Sequence, residues 1–264
     1  MQKERLYVSP FVHLVSLKSF KMAFYPSSCI KISDTKICPH CNAPTLIKNG
    51  FTANQKQQFY CKTCTKRCID FYTSKGCCKE INKTIVVLIK EGMGIRSMAR
   101  FLGISTTTLL KRILFIAKGV QSPPICSGQT YEVDEMRTFL RHKGKVIWIV
   151  YALDRINKNV ISFAVGSRSK KTLNQVIKTV VLSNPKTIYT DGLLLYKLLI
   201  HKTIHKVTRF GTNRIERKNL SLRTQLKRLN RRSICFSKSL LVLSAVLRIY
   251  FWLIQNFISP NLLC

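Results

Sequence analysis

Two cysteine pairs have the spacing of a metal site. Cys38-Pro-His-Cys41 and Cys61-Lys-Thr-Cys64 are C-x2-C knuckles separated by 19 residues. Each knuckle directs two thiolates at one centre. Two of them across a hairpin complete a tetrahedral sulfur site with Zn–S distances of about 2.3 Å. The intervening NGFTANQKQQFY reads as turn then strand, as a zinc ribbon requires. Structural zinc on Cys38, Cys41, Cys61 and Cys64 is therefore expected, although Cys68, Cys77 and Cys78 are close enough to replace one ligand. His40, inside the first knuckle, reads as a surface residue. Eight of the 11 cysteines lie between Cys29 and Cys78, a local cluster and not a disulfide framework spread along the chain.

The second candidate chemistry is carboxylate chemistry. Past residue 129 the acids are Glu132, Asp134, Glu135, Asp154, Asp191 and Glu216. Glu216 is the one carboxylate among nine Arg and Lys in 209–232. Asp134 and Asp191 are 57 residues apart in sequence but fall on strands that topology can bring together. Side by side they repel unless one is protonated or a cation lies between them. Oxygen ligands suit Mg²⁺ or Mn²⁺ and not zinc. With a third carboxylate, two such ions fit about 3.5 to 4 Å apart, the arrangement used in phosphodiester chemistry. On a helix over 213–229, Ile215, Leu222, Leu226 and Leu229 form one stripe, while Glu216, Leu220, Arg223 and Lys227 form another face. Glu216 then reads as a metal ligand or as a solvated partner of nearby bases. Glu132 and Asp134 share one strand face and Glu135 is adjacent, so the spacing does not choose among them. Asp154 reads as a turn residue ending its strand.

The elements that must hold these groups follow from periodicity. Apolar residues recur at helical spacing in three runs: Ile81, Ile85, Leu88 and Ile89; Ile95, Met98, Ala99 and Leu102; Leu109, Leu110, Ile113 and Leu114. Gly103 supplies a C-cap and Ser105 an N-cap for the third helix. The pattern predicts a helix-turn-helix that sets Thr106, Thr107, Thr108, Lys111 and Arg112 towards a DNA major groove. After the Pro- and Gly-containing stretch 122–128, TYEVDEMRTFL, KVIWIVYALDR and NVISFAVGS read as three strands, KTLNQVIKTVVLS as a helix, TIYTDG as a fourth strand and LLLYKLLI as a short helix. A crossover helix lets the fourth strand lie parallel to the first.

Composition narrows the partner class, with a basic membrane-surface protein as the lesser alternative to a nucleic-acid binder. Forty-five Lys and Arg against 11 Asp and Glu give a formal charge of +34, and such a field favours polyanions, nucleic acid above all. The apolar run 240–259 has nearly the length of a membrane span, but Arg248 at its middle makes it a buried helix of a protein core, with no membrane partner expected.

The segments YEVDEMRTF, IWIVYALDR, YTDG and RFGTNRIERKNLSLRTQLKRLNRRSICFSKS closely resemble the insertion-sequence-one transposase family. The resemblance extends back through the two knuckles and the helix-turn-helix, over about 36–258. It implies a mixed α/β, RNase H-like catalytic domain with a DDE triad, which falls on Asp134, Asp191 and Glu216 with Mg²⁺ or Mn²⁺. It also implies a zinc-finger and helix-turn-helix module that recognises terminal inverted repeats. The expected division is a poorly ordered extension (1–35), zinc ribbon (36–78), helix-turn-helix (79–121), linker (122–129) and catalytic domain (130–264). Arg214, Arg217, Arg223, Lys227, Arg228, Arg231 and Arg232 are expected to hold DNA backbone. Double-stranded DNA, from element ends and target, is the expected partner of a homo-oligomer in a cytoplasmic, nucleoid-associated setting. The rival reading is a non-catalytic DNA-binding regulator on the same module.

Overall fold

The computed structural model describes residues 31–72, 76, 80–230, 232 and 235–253. The expected extension over 1–30, Cys77, Cys78, Arg231 and the apolar run beyond 253 lie outside them. The chain divides into two compact units, 1–72 and 73–264.

In the first unit, β1 (Leu46–Phe51), β2 (Gln57–Cys61) and β3 (Arg67–Ile69) form an antiparallel sheet in sequence order. The turn-then-strand reading of 49–60 matches the β1–β2 hairpin. A single helical turn, α1 (Ile32–Thr35), belongs to this unit and not to an unstructured extension. Its Ile32 side chain is buried with Phe59 and Cys68. Asp70 holds it in place: its carbonyl accepts the Ile32 amide at 2.9 Å and its carboxylate the Ser33 amide at 2.6 Å.

The second unit begins with α2 (Ile81–Lys90), α3 (Ile95–Leu102) and α4 (Thr106–Gly119). Gly103 ends α3 in the left-handed region at φ 63°, and Ser105 caps α4 by accepting the Thr108 amide at 3.0 Å. The α2–α3 turn depends on Gly92. Its φ is +69°, and an added Cβ would lie 1.8 Å from the carbonyl oxygen of Gln225.

The strands β4 (Thr130–Leu140), β5 (His142–Asp154), β6 (Val160–Gly166), β7 (Thr187–Tyr189) and β8 (His205–Lys206) form one mixed sheet in the order β6-β5-β4-β7-β8. β4, β5 and β6 pair antiparallel. β7 pairs parallel with β4 after the crossover helix α5 (Lys170–Val181), and β8 parallel with β7. This is the predicted topology with one strand more, since β8 has two residues and no alternation to reveal it.

Alternation along β4 sorts its side chains into two cores. Tyr131 and Val133 bury against α5 and α6 (Leu194–Leu199). Met136 and Leu140 bury on the other face, in a core shared with α7 (Asn213–Gln225), α8 (Leu240–Arg248) and helices α2–α4. The sequence separates 79–121 from the sheet by a linker, whereas packing joins them. The cause is the 240–253 segment, whose buried Leu243, Val246 and Phe251 lie in one apolar cluster with Ile85, Leu109 and Ile113. Trp252, also buried, donates to the Val160 carbonyl at 2.9 Å. Among the described residues no helix is long and apolar enough to cross a membrane.

The predicted 213–229 helix is α7 followed by a separate 3-10 turn over Lys227–Leu229, because Leu226 adopts extended angles (φ −96°, ψ 95°). Its stripe of Ile215, Leu222, Leu226 and Leu229 is nevertheless buried throughout.

Candidate functional site

In the first unit, Cys38, Cys41, Cys61 and Cys64 bring their Sγ atoms within 4.8 Å of one another. Cys38 lies 3.6 Å from Cys64, and Cys41 lies 3.6 Å from Cys61. A tetrahedral site with Zn–S bonds of about 2.3 Å has sulfur–sulfur edges of about 3.8 Å, so the four residues fit zinc. The same separations are far beyond a disulfide bond of about 2.05 Å. The backbone amide of Cys64 lowers the Cys61 thiol to about 6 against desolvation, whereas, against the Ala43 amide, desolvation and the neighbouring thiols push Cys41 up to about 12, the split expected of thiols crowded round one centre. Cys68 stands outside the set, buried beneath it with its Sγ 3.8 Å from the Phe59 carbonyl.

In the second unit, parallel pairing of β4 with β7 matches Glu132 with Tyr189, and Asp191 follows two residues later, level with Asp134. Asp134, Glu135 and Asp191 place one carboxylate oxygen each within 4.8 Å of one another. Burial raises Asp134 to about 6, opposed by the Glu135 amide and Asn219 and supported by the negative charges of Asp191 and Glu216. Burial and the charge of Asp191 likewise raise Glu135 to about 7 despite the Arg168 guanidinium 3.5 Å away. Charges that repel one another inside a partly buried pocket are what a divalent cation relieves.

The structure thus brings Asp134 and Asp191 together and adds Glu135, which strand alternation alone had left undecided. Between Glu132 and Leu140, where Ser237 forms a parallel bridge, β4 pairs with no strand on the β7 side among the described residues. Glu216 does not join this cluster. It is exposed on the first turn of α7, where its carboxylate accepts the Thr212 hydroxyl at 3.0 Å.

Asn219, one turn further along α7, donates to Asp134 at 2.8 Å. Glu132 has a different task. Fully buried, it accepts the amides of Arg214 and Ile215 at 3.0 and 2.9 Å and pairs with Arg155 at 3.0 Å. A carboxylate on a helix N-terminus satisfies two orphan donors and complements the helix dipole. Asp154 is the turn residue expected of it, accepting the amides of Ile156 and Asn157 at 2.8 and 3.2 Å.

The IS1 transposase domain family matches residues 125–257, half of the chain. The InsB protein of the IS1 insertion element of Shigella flexneri is 36% identical over 108 residues, 41% of this chain and 82% of that protein. The chain belongs to the IS1 transposase family. The InsB protein of IS1 2 from Escherichia coli K12 is also 36% identical over 108 residues, which span 65% of its length. Among solved structures, the chain is similar to one from a simian T-cell lymphotropic virus intasome complex (TM-score 0.34, 13% identity, 68% of this chain and 70% of that one). It is also similar to the magnesium-bound HTLV-2 integrase catalytic core (TM-score 0.30, 12% identity, 48% and 86%).

The basic residues of this IS1 family domain differ in availability. Arg214, Arg217, Lys227 and Arg232 are exposed, while Arg223 and Arg228 are half-buried. Arg214 also donates to the Arg155 carbonyl at 2.8 Å. On α4, Thr106, Thr107 and Lys111 are exposed. Thr108 is engaged with the Ser105 cap, and Arg112 donates to the Gly76 carbonyl at 3.2 Å through Nε. Asn219 is the residue that sequence reasoning missed. Its signal was present: an amide at i+4 from Ile215 and three before Leu222, on the apolar stripe and not beside it.

Proposed function

We propose that this chain is a transposase that binds the terminal inverted repeats of an insertion sequence and cleaves and transfers DNA strands at the carboxylate cluster. The observation that carries this reading is the convergence of Asp134 and Asp191 within 4.8 Å, in a domain of the IS1 transposase family. Two ligand aspartates, an adjacent Glu135 and an all-oxygen donor set fit Mg²⁺ or Mn²⁺. A divalent ion held by these carboxylates would supply charge neutralisation at the phosphodiester. Asp134 and Asp191 would hold it, and Glu216, outside the 4.8 Å cluster but near enough for its charge to act on Asp134, would be the third member of the DDE set. Arg214, Arg217, Arg223, Lys227, Arg228, Arg231 and Arg232 supply backbone contacts that orient DNA over the cluster without reading its sequence.

The zinc ribbon and the α2–α4 helix-turn-helix recognise the element ends, with Thr106, Thr107 and Lys111 on the presented face of α4. Pairing two ends requires a homo-oligomer, and the DNA substrate places the protein at the cytoplasmic nucleoid. The test is Mg²⁺-dependent nicking and strand transfer on DNA that carries the element ends, comparing the wild-type chain with Asp191→Ala. Cleavage and joined products from the wild type alone support the reading. End binding without metal-dependent cleavage in either protein overturns it in favour of a regulator, and cutting without joined products in favour of a nuclease.

A further inference from the structure

Asn219 lies seven per cent exposed on the face of α7 that meets β4. Its Nδ2 donates to Asp134 Oδ2 at 2.8 Å, and its Oδ1 accepts the Tyr151 hydroxyl at 2.8 Å. Tyr151 is fully buried on β5 and also reaches the Ile215 carbonyl at 3.2 Å. Asp134 Oδ1 takes the Glu135 amide at 2.7 Å, so each oxygen of this carboxylate has one N–H donor.

The amide orientation follows from the chemistry of its neighbours. An ionised carboxylate can only accept, so Asn219 must present its NH₂ to Asp134 and its oxygen to Tyr151. The tyrosine hydroxyl, which faces two carbonyl-type acceptors, must then donate. We propose that Asn219, its amide locked by Tyr151, is a positioning residue that fixes the Asp134 carboxylate for divalent-ion binding and ties it to the helix that carries Glu216. This rests on the reading of the carboxylate cluster as a metal site. Outer-shell hydrogen bonds of this kind orient ligands and are worth about 10- to 100-fold in metal affinity.

The experiment is Mn²⁺ titration of the zinc-loaded full-length chain, followed by calorimetry and by electron paramagnetic resonance of free Mn²⁺, with metal-free thermal unfolding measured alongside. Asn219→Ala is expected to weaken Mn²⁺ binding by about 10-fold or more. Tyr151→Phe keeps the ring and removes only the hydroxyl, and is expected to weaken it by about 2- to 10-fold, the equivalent of one hydrogen bond. Both variants should still cleave DNA when Mn²⁺ is raised to saturation, so the metal requirement moves more than kcat. Asn219→Ala that binds Mn²⁺ within 2-fold of wild type while remaining folded overturns the proposal. If Asn219→Ala does not fold, Tyr151→Phe decides, and unchanged affinity in it overturns the proposal equally. Asp191→Ala separates the two levels. If the wild type and Asp191→Ala bind Mn²⁺ alike, it is the metal-site reading that fails. If Asp191→Ala loses binding and Asn219→Ala does not, only the positioning role fails.

Discussion

The Glu132 carboxylate accepts the backbone amide of Ile215 at 2.9 Å, and that bond joins the strand of Asp134 to the helix of Glu216. Glu132 also takes the Arg214 amide and pairs with Arg155, all at zero exposure of its side chain. The acid nearest Asp134 on the same strand face is thus a clamp that fixes the start of α7 against β4.

Removing the clamp should cost stability before it costs chemistry. Glu132→Ala leaves Arg155 and two helix amides without their acceptor, a loss of about 3–5 kcal/mol for breaking a partly buried pair. Glu132→Gln keeps an oxygen for the amides and should cost about 1–3 kcal/mol. Urea unfolding of the three proteins checks the order. A Glu132→Ala protein as stable as the wild type would rule out the clamp.

The four-cysteine site should hold its own unit together. With α1 and three short strands around a small core of Ile32, Phe59 and Cys68, the ribbon has little apolar burial of its own. Metal binding by thiolates is therefore folding free energy, on the order of 10–16 kcal/mol for structural zinc. Chelation, or Cys61→Ser, should release about one zinc per chain and abolish amide protection over 46–69. The core of Leu109, Ile113 and Tyr151 should keep its protection. Hydrogen exchange read by mass spectrometry distinguishes these segments, and intact protection in the ribbon after zinc removal would contradict the assignment.

Much of this was legible in the sequence, and the exceptions have physical causes. β4 spans the same 11 residues that read as a strand from their residue types, and the caps at Gly103 and Ser105 stand where their residue types demand. The parallel approach of Asp191 to Asp134 followed from a crossover helix between strands. Glu135 was not singled out, because a strand sends neighbours to opposite faces. Asn219 was passed over because the stripe was counted by its apolar members. Joining of the helical segment to the sheet escaped notice for a third reason: periodicity shows which face of a helix is buried, but not what buries it.

Acidity should act on the carboxylate cluster in two opposite ways. Asp134 and Glu135 are raised to about 6 and about 7 by burial first, so the folded protein holds their protons more tightly than the unfolded chain does. For such groups the stabilising contribution is complete below the unfolded values near 4 and is lost as pH rises through 6 to 7. For Asp134 the shift corresponds to about 3 kcal/mol at full burial and about half that for a partly exposed group. The metal-free protein should therefore lose stability between about pH 4 and 7, and Asp134→Asn should reduce that loss while leaving the Glu135 share. Mn²⁺ affinity should run the other way, falling as pH drops below about 7, because ligands must be deprotonated. Thermal unfolding and Mn²⁺ titration across this range give both curves, and a metal affinity flat from pH 5 to 8 would exclude these carboxylates as ligands.

Neighbouring cations on α4 should separate DNA contact from folding. Lys111 is exposed, whereas Arg112 spends its guanidinium on the Gly76 carbonyl. If α4 meets DNA, Lys111→Ala should weaken binding about equally across sequences and lower the salt slope by about 1, the signature of one lost phosphate contact. Arg112→Ala should instead lower the unfolding free energy by about 1–3 kcal/mol, since a charged donor's bond to a part-buried carbonyl is lost. Its salt slope should stay near that of the wild type. Fluorescence anisotropy on labelled end DNA at several salt concentrations, with denaturant melts of the same preparations, reads both quantities. The reverse assignment, with Arg112 setting the salt slope and Lys111 neutral, would mean that the Gly76 contact yields to DNA.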